Sequence, residues 1–473
     1  MYIIYHMHLK PLDIQELPQP LSIKKLIGPS FILLALGLGS GEVILWPYLS
    51  ANYGLGIIWG AILGISFQFF MNMEIERYAL AHGESIFVGL SRKLRFISFW
   101  FLLSTFIPWM YPGIIASSAK FFGTVAGIQE TQYLAMGFLI IIGVILSLGP
   151  VLYKTVETLQ KTIIMIGVPS IFVLSVFLSK PHSWVLLAQG TVGVGEGYLF
   201  LPAGIAIASF LGALAYAGAG GNLNLAQSFY VKEKGYGMGK FGGRITSLLT
   251  GKVENISLTG SKFEPTQENV SRFKVWWKNI NVEHFVVFWL TGAITILLLA
   301  LLSYSTVHGQ PGIAQGVNFV IMEAQFIGKM ILPLVGTFFL LVVSLTLFGT
   351  QLGVFDATSR ILSENVILSS FGKLKEKNLR KLYYIVLWMQ ILAGVVIMML
   401  GFTEPLQLVI TAAVLNAMAM FVHTGLTLWL NMTSLDKEIR PSRLRFVAMS
   451  LAFLFYGGFS VYVIYDKFLK QTF

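Results

Sequence analysis

Cysteine is absent from this 473-residue sequence. Disulfide bonds and thiolate metal ligands are therefore excluded, and only oxygen, nitrogen and methionine sulfur remain to bind a metal ion. Charged residues are also scarce: they make up 12% of the chain, about half the share that is usual in soluble proteins. Together with 55% hydrophobic residues and a mean hydropathy of +0.74, these shortages exclude a large soluble domain and predict an all-α polytopic membrane protein.

A helix needs about 20 mostly apolar residues to cross a bilayer. Eleven stretches of the sequence meet this requirement, at residues 28–50, 54–76, 96–118, 133–153, 159–179, 199–230, 284–305, 325–352, 382–402, 405–430 and 443–466. Most of the 33 Lys and Arg residues fall in loops on the side of the N-terminus. Because such residues accumulate in cytoplasmic loops, we predict an N-terminus inside, a C-terminus outside and a multi-pass protein of the plasma membrane.

The formal net charge of +11 belongs to the same inner loops, which we expect to lie against anionic lipid. Membrane lipid is therefore an expected partner, and nucleic acid is not. The longest inner polar stretch, residues 231–283, is either a flexible loop or a segment with short surface helices. Its aromatic and basic residues 273–278 are either an anchor at the membrane surface or part of a solvated linker.

Two of the eleven stretches contain clusters of glycine. The first reads LALGLGSGEVILWPYLS around Gly39 and Glu42, and the sixth reads LAYAGAGGNLNLAQS around Gly220 and Asn222. In hydrocarbon, unwound backbone is tolerated only where it is packed inside the protein or lines a polar cavity. We therefore interpret both clusters as helix breaks that border a cavity. The alternative for the sixth stretch is that its glycines serve close helix packing alone.

The two breaks lie in the first spans of two successive sets of five. Because an odd number of crossings turns the second set upside down relative to the first, this arrangement predicts the five-plus-five inverted repeat of secondary transporters. The predicted organisation is a cytoplasmic tail at residues 1–27, a first repeat at 28–179, a second repeat at 199–430 and an eleventh helix with a tail at 443–473.

The first two spans resemble those of the Nramp family of divalent-metal transporters, which has the LeuT fold. The stretches GPSFILLALGLGSGEVILWPYLSANYGLGIIW and FFMNMEIERYALAHGES carry this resemblance. The family's Asp-Pro-Gly-Asn motif falls on residues 39–42, which are Gly, Ser, Gly and Glu, and its Met-Pro-His motif falls on Gly220, Gly221 and Asn222. The resemblance implies the LeuT fold and transport, whereas the loss of the family's aspartate, methionine and histidine alters the implied metal site.

Glu42 is the principal candidate for substrate binding, because a carboxylate inside a membrane is costly and is by default a functional group. Glu42 and Asn222 are the predicted metal ligands, together with backbone carbonyls at the breaks. Such an all-oxygen set favours hard cations such as Mg²⁺ or Mn²⁺. The predicted substrate-binding residues are Gly39, Ser40, Glu42, Ala217, Gly220, Asn222 and Asn224, with Gln227, Thr411 and Asn416 as further candidates.

Each candidate has a structural alternative. Glu42 either meets substrate or caps the broken helix and bonds to Asn222 and Gln227. The remaining polar candidates, Asn224 among them, either contact substrate or bond neighbouring helices. His423, isolated in the tenth span, is interpreted as a packing residue.

Charged residues at the inner ends of two spans predict ion pairs that serve structure or gating. They are Glu74, Glu76 and Arg77 in the second span, and Asp356 and Arg360 in the eighth. The third span contains no ionisable side chain before its outer end. No proton relay is visible in this pattern, so proton-coupled and uncoupled transport both stay open.

These observations favour a secondary transporter that moves a divalent cation by alternating access. The alternative is a LeuT-fold transporter of an amino acid or another small organic solute, because fold does not determine substrate. We expect no enzymatic activity, since the spans contain no zinc-binding histidine pair, paired aspartates or serine elbow. We also expect no cofactor apart from the cation as substrate, and a monomer or a weak oligomer.

Overall fold

The computed structural model describes residues 9–22, 26, 28–149, 152–243, 245, 257–310, 316–402 and 404–465. Helices make up almost all of the regular structure in these ranges. The one sheet within them is a parallel pair of two-residue strands, Asp13–Ile14 and Ser261–Lys262. The chain is therefore all-α, as predicted.

Ten helical segments in the described ranges are long and apolar enough to cross a membrane. They are Pro29–Tyr53, Leu55–His82, Ile97–Ala126, Thr131–Leu148, Leu152–Leu178, Gln267–Thr306, Pro333–Ser369, Glu376–Met399, Pro405–Ser434 and Arg443–Ile464. A further crossing comes sixth in the chain and consists of the shorter helices Ile207–Ala215 and Gln227–Lys234. We call these crossings spans 1 to 11 in chain order. The predicted layout of about eleven spans is confirmed.

Several spans are built from shorter helices. Span 1 consists of Pro29–Gly37, the π-helical turn Ser40–Leu45 and Trp46–Tyr53. The α-helix of span 2 is Trp59–His82, and that of span 9 is Leu379–Met399. Span 3 consists of the two helices Ile97–Trp109 and Gly113–Ala126. Span 7 consists of Gln267–His284, the π-helical turn Phe285–Leu290 and Thr291–Thr306. The 3₁₀ turns are Leu55–Ile57, Gly221–Ala226, Gly237–Phe241, Glu376–Asn378 and Lys437–Ile439. Helices outside the spans are Ile86–Lys93, Pro181–Gly190 and Asn318–Met330.

The observed bounds of spans 6, 7 and 8 differ from the predicted ones, and span 7 begins at Gln267 instead of residue 284, within the predicted inner loop. Span 6 begins at Ile207, because the chain before it includes Gly204 at φ +77°, outside the right-handed helical region. Span 8 begins at Pro333, where proline is suited to the first turn of a helix. Residues 318–330 form a separate helix instead. Span 8 also continues inward to Ser369, because its charged inner residues are buried and paired within the protein.

The aromatic and basic segment at residues 273–278 lies in a helix that packs on the protein itself. Phe273 and Trp276 are buried, and Trp276 Nε1 donates to Pro18 O at 2.8 Å. The guanidinium of Arg77 lies 3.8 Å from the ring centroid of Trp277. The segment is therefore not a solvated linker, because its rings cover the N-terminal tail and the inner end of span 2.

Span 1 occupies the centre of the bundle. In its most hydropathic window, 94% of the residues are buried, whereas the corresponding share for span 4 is 28%. Many apolar side chains that are more than half exposed lie on spans 5, 9 and 11, as expected for lipid contact; examples are Met165, Phe172, Phe177, Leu392, Leu444 and Leu454. The break in span 1 is thus placed at the core of the protein, away from lipid.

Candidate functional site

The break in span 1 is packed directly against span 6. The first helix ends at Gly37, and the chain resumes with the π-helical turn Ser40–Leu45, all of whose residues are buried. A Cβ at Gly41 would overlap with the backbone carbonyl of Tyr216. Glycine is therefore required here, because the two broken helices touch through their main chains.

Span 8 encloses the same break from another side. The hydroxyl of Thr350 donates to Ala35 O at 2.9 Å, which gives a partner to a carbonyl near the end of the first half-helix. A Cβ at Gly39 would overlap with the side chain of Thr350. Ser40, the next residue, is buried. Spans 6 and 8 thus hold the break between them.

Span 6 breaks after Ala215. Gly220 and Gly221 have φ values of +74° and +53°, in the left-handed region that favours glycine. The chain resumes as the 3₁₀ turn Gly221–Ala226. A Cβ at Gly221 would overlap with the side chain of Asn416 in span 10. The glycines of this stretch therefore form a true break in the helix, and close packing accompanies it.

Gln68 of span 2 bridges the break in span 6. Its Nε2 donates to Ala215 O at 3.0 Å, and its Oε1 accepts from Gly220 N at 3.0 Å. These two backbone groups lose their helical partners at the break, and an amide side chain can satisfy one donor and one acceptor at once. Sequence reasoning missed Gln68, although an amide inside a predicted membrane span was a visible signal.

Glu42 is fully buried beside this junction. Its Oε1 lies 3.3 Å and 3.5 Å from the positions that a Cβ would occupy at Gly37 and Gly292 of span 7. Glycines therefore make the room for the carboxyl group. Neither of its oxygens has a hydrogen-bond partner among the described residues. The expected alternative, in which Glu42 caps the helix or bonds to Asn222 and Gln227, is not observed.

Asn222 faces a different helix from Glu42. Its Nδ2 donates to Ser104 Oγ at 2.8 Å and to Thr105 Oγ1 at 2.9 Å, both in span 3. Its Oδ1 has no partner in the part of the chain that the structure describes. Glu42 and Asn222 thus share no hydrogen-bond partner within the described ranges, nor is any group of three His, Asp or Glu side chains arranged there to hold a metal ion.

Aromatic and amide groups line the side of the break that faces spans 3 and 10. Asn416 Nδ2 donates to the Tyr216 hydroxyl at 2.9 Å. Trp109 stacks on Tyr216, with ring centroids 5.6 Å apart and an interplanar angle of 17°. The Asn416 Oδ1 and the Trp109 Nε1 have no partner in the described ranges. Sequence reasoning missed Trp109 and Tyr216, although Tyr216 lies within the broken stretch.

The structure brings one further residue to the break in span 6 and leaves one candidate, Thr411, elsewhere. His423 Nε2 lies 3.1 Å from Gly221 O, so this packing histidine is fixed by the broken backbone itself. Ala217 is buried against span 2, where Gly64 leaves room for its methyl group. Thr411 is exposed and its hydroxyl donates to Gln407 O, so the structure does not bring it to the breaks.

Asn224 and Gln227 lie further inward, opposite span 2. Gln227 Nε2 is 3.4 Å from Glu76 Oε2. Asn224 is fully buried, as is Asn72 of span 2, and the described residues provide no partner for either amide. Asn72 lies midway between Gln68 and Glu76, which contact the start and the end of this part of span 6. The side chains of Asn72 and Asn224 are thus at the same level of neighbouring helices.

The predicted inner ion pairs are only partly as expected. Arg77 pairs with Glu74 at 2.8 Å, and Arg360 pairs with Asp356 at 2.9 Å. Glu76, which the sequence suggested as a member of the first network, has no ion pair among the described residues. The reason is helical geometry: Glu76 is two residues from Glu74, so it points to another face of span 2.

No protein-family model matches the chain, and no curated protein sequence matches it. Solved structures that are similar to it include membrane transporters. A mutant of the Eremococcus coleocola manganese transporter has a TM-score of 0.69 at 13% identity, with 96% of this chain and 90% of that chain covered. The same transporter in complex with an aromatic bis-isothiourea substituted compound has a TM-score of 0.65 at 12% identity, with 98% and 90% covered.

A second kind of neighbour is Mhp1, a nucleobase-cation-symport-1 family transporter. Its closed form with bromovinylhydantoin bound has a TM-score of 0.55 at 13% identity, with 97% of this chain and 96% of that chain covered. Both neighbours share one architecture, and the breaks described above occur in the first and sixth spans of this chain. The chain is thus a polytopic membrane protein with the LeuT fold and its five-plus-five inverted repeat.

Proposed function

We propose that this protein is a secondary transporter of the Nramp-like type that moves a divalent cation by alternating access, with a hard ion such as Mg²⁺ or Mn²⁺ favoured. One observation carries the proposal: the carboxyl group of Glu42 is fully buried at the break of span 1, and no described residue bonds to it. Burying an acidic group without a partner costs free energy, and a cation that binds there would neutralise its charge.

The ligand chemistry supports a hard ion. Oxygen is available from the Glu42 carboxylate and from backbone carbonyls that the breaks expose, and the negative dipole ends of the half-helices act in the same direction. The Nramp motif's methionine position is Gly220 in this chain, so sulfur is not offered. Oxygen ligands without sulfur suit Mg²⁺ and Mn²⁺ better than softer ions. The manganese transporter among the structural neighbours agrees with this choice.

The remaining features of the proposal follow from the same function. The protein acts in the plasma membrane as a monomer or a weak oligomer, its partners are its substrate and the surrounding lipid, and it is not an enzyme. It needs no cofactor. The length and hydropathy of the described spans support the location in a membrane.

The test is uptake of Mn²⁺ and Mg²⁺ into proteoliposomes with internal reporter dyes. The native chain should give saturable uptake, and Glu42→Gln, which keeps the shape and removes the charge, should lower the rate at least about tenfold, because one lost charge-ligand contact of about 1.4 kcal/mol or more changes a binding constant tenfold. Thr411→Val is the control, because Thr411 is exposed and its hydroxyl bonds to Gln407 O of its own helix. Absence of uptake for both ions by folded protein would refute the proposal.

A second candidate function is transport of a small organic solute. The stacked pair Trp109 and Tyr216, with the free Oδ1 of Asn222 and Asn416 within the described ranges, offers a flat apolar face beside hydrogen-bond acceptors. Such a combination suits a planar polar molecule. Quenching of Trp109 fluorescence by a panel of amino acids and heterocycles would detect it, with Trp109→Phe as the variant that removes the signal.

A further inference from the structure

The inner end of span 8 borders a groove of about 390 Å³, whose lining shares no residue with the breaks. We call it the inner groove. We propose that it binds the headgroup of an anionic phospholipid of the inner leaflet, whose acyl chains lie along the exposed face of span 3. This inference goes beyond the proposed function and is independent of which substrate the protein moves.

Apolar and basic side chains line the inner groove together. Its apolar lining includes Leu258, Ile367 and Phe371. The charged side chains that line it are three lysines and one acid: Lys10, Lys375, Lys377 and Glu376. All three lysines are exposed. An apolar surface with an excess of positive charge is complementary to a phospholipid, which is negative at its phosphate and apolar beside it.

The backbone on both sides of the groove is held in place. Arg92 Nη1 donates to Lys10 O at 2.9 Å, and the same guanidinium pairs with the buried Glu84 at 2.9 Å. On the other side, just after span 8, Leu374 N donates to Ser370 Oγ at 3.0 Å. The segments that carry the lysines are thus anchored before a lipid binds, so less ordering is needed on binding.

Phe371 connects the inner groove to span 3. It lines the groove, and its ring centroid is 5.9 Å from that of Phe96 and 6.3 Å from that of Phe99. The guanidinium of Arg95 lies 5.0 Å from the same ring centroid. The φ of Phe371 is +50°, which residues other than glycine seldom adopt. Because Phe371 contacts these rings, a molecule in the groove lies next to span 3.

Span 3 offers an apolar stripe for the acyl chains. Phe99, Leu103 and Ile107 recur every four residues, so they share one face of the helix. Their exposed fractions are 45%, 60% and 42%. The stripe rises about 12 Å, which is most of the thickness of about 15 Å that one leaflet contributes to the hydrocarbon core. Lipid bound at the groove therefore finds a continuous apolar surface above it.

Aromatic and basic side chains mark the level of the membrane surface at this end. The guanidinium of Arg95 lies 5.2 Å from the ring centroid of Phe96, and the Lys93 Nζ lies 5.6 Å from that of Trp429 in span 10. Phe96 and Trp429 are both exposed. Aromatic rings beside basic groups are typical of the membrane interface on the inner side. The inner groove, which contacts Phe96 through Phe371, thus lies at the level of the headgroups.

The experiment measures lipid binding to the delipidated full-length protein by native mass spectrometry. The probes are dioleoylphosphatidylglycerol and dioleoylphosphatidylcholine. At its tightest site the native chain should prefer phosphatidylglycerol at least about tenfold, because each nearby lysine favours an anionic headgroup. The double variant Lys375→Gln with Lys377→Gln should weaken this site about tenfold or more. Equal affinity of the native chain for the two lipids would overturn the proposal.

The matched control is the double variant Lys274→Gln with Lys278→Gln. It removes the same charge from two exposed lysines of the helix Gln267–His284, outside the groove. All four lysines are exposed, so both double variants should fold. Native affinity in the control together with weaker binding in the groove variant supports the proposal. Equal weakening in both would show that the lipid responds only to total charge, and the groove would be refuted as its site.

Leu103→Asn tests the acyl-chain contact and leaves every lysine in place. It should weaken phosphatidylglycerol binding several-fold, because an amide replaces an apolar side chain of the stripe. Leu444→Asn is its control, since Leu444 is an exposed apolar residue of span 11. Unchanged affinity in Leu103→Asn would overturn the placement of the acyl chains.

Inorganic phosphate separates a lipid site from a site for a soluble anion. At equal concentration it should not displace phosphatidylglycerol from the native chain, because it lacks the acyl chains. Displacement at equal concentration, lost in the variant Lys375→Gln with Lys377→Gln, would show that the groove takes a free anion and would overturn the lipid assignment.

Discussion

Two groups of buried acids differ in what neutralises them. In the ion-paired group an Arg or Lys contacts each acid: Glu74, Glu84, Glu157, Glu233 and Asp356. In the unpaired group, no Arg or Lys makes an ion pair with the acid within the described ranges: Glu42, Glu76, Glu283, Glu323 and Glu364. Both groups are shielded from solvent, so burial alone does not separate them.

Under the proposed function, the ion-paired acids serve the fold, and the acid that binds the ion is one of the unpaired group, Glu42. A buried ion pair has no net charge, and removing one partner leaves an uncompensated charge inside the protein. An unpaired carboxylate has no internal partner to lose, so it is free to exchange its counter-ion during a transport cycle. The ion-paired group thus supports the inner ends of the helices, while one member of the unpaired group, Glu42, lies at the break in span 1.

The largest expected effect is the loss of an ion-paired arginine. Arg360 donates to both carboxyl oxygens of Asp356 at 2.9 Å and also bonds to Glu233. Arg360→Met leaves two buried acids unbalanced, so the free energy of unfolding should fall by about 3–5 kcal/mol. Arg272→Met is the control, because its partner Glu268 is exposed, and should cost about 1 kcal/mol or less. Thermal unfolding in detergent measures both, and equal losses would show that burial of the pair does not matter.

A smaller effect is expected from the amide that bridges the break. Gln68→Leu leaves Ala215 O and Gly220 N buried without this partner, which should cost about 2–4 kcal/mol. Gln390→Leu is the matched control: this buried amide donates to the Ser359 hydroxyl at 3.1 Å and to no break, and its loss should cost about 1 kcal/mol. Similar melting temperatures for the two variants would show that span 6 does not depend on Gln68.

Most of the fold could be predicted from the sequence, because long apolar stretches and basic loops are local signals. The glycine clusters around Gly39 and Gly220 are also local signals, and they predicted the helix breaks. Backbone is unwound inside a membrane only where it is packed in the protein or lines a cavity. The start of span 8 was less predictable. An apolar run at residues 325–352 does not reveal that the chain ends one helix and begins another at Pro333.

The arrangement of the candidate site was less accessible to sequence reasoning. Glu42 and Asn222 were expected to act together, but their side chains turn to different helices, and the direction of a side chain at a break depends on contacts with distant residues such as Ser104. Likewise, Glu74 and Glu76 looked equivalent in sequence. Their partners, Arg445 for Glu74 and Gln227 for Glu76, come from segments far along the chain.

The smallest expected effect separates the two groups within one helix. Glu76→Gln removes a buried carboxyl group that no Arg or Lys pairs with in the described ranges, so the free energy of unfolding should rise or change by about 1 kcal/mol at most. Glu74→Gln weakens charge-assisted bonds to Arg77 and Arg445 and should lower it by about 1–3 kcal/mol. The two positions are buried equally, so a comparison of their unfolding curves isolates the pairing. Equal destabilisation would mean that Glu76 has a structural partner of its own, and the division between ion-paired and unpaired acids would then fail at span 2.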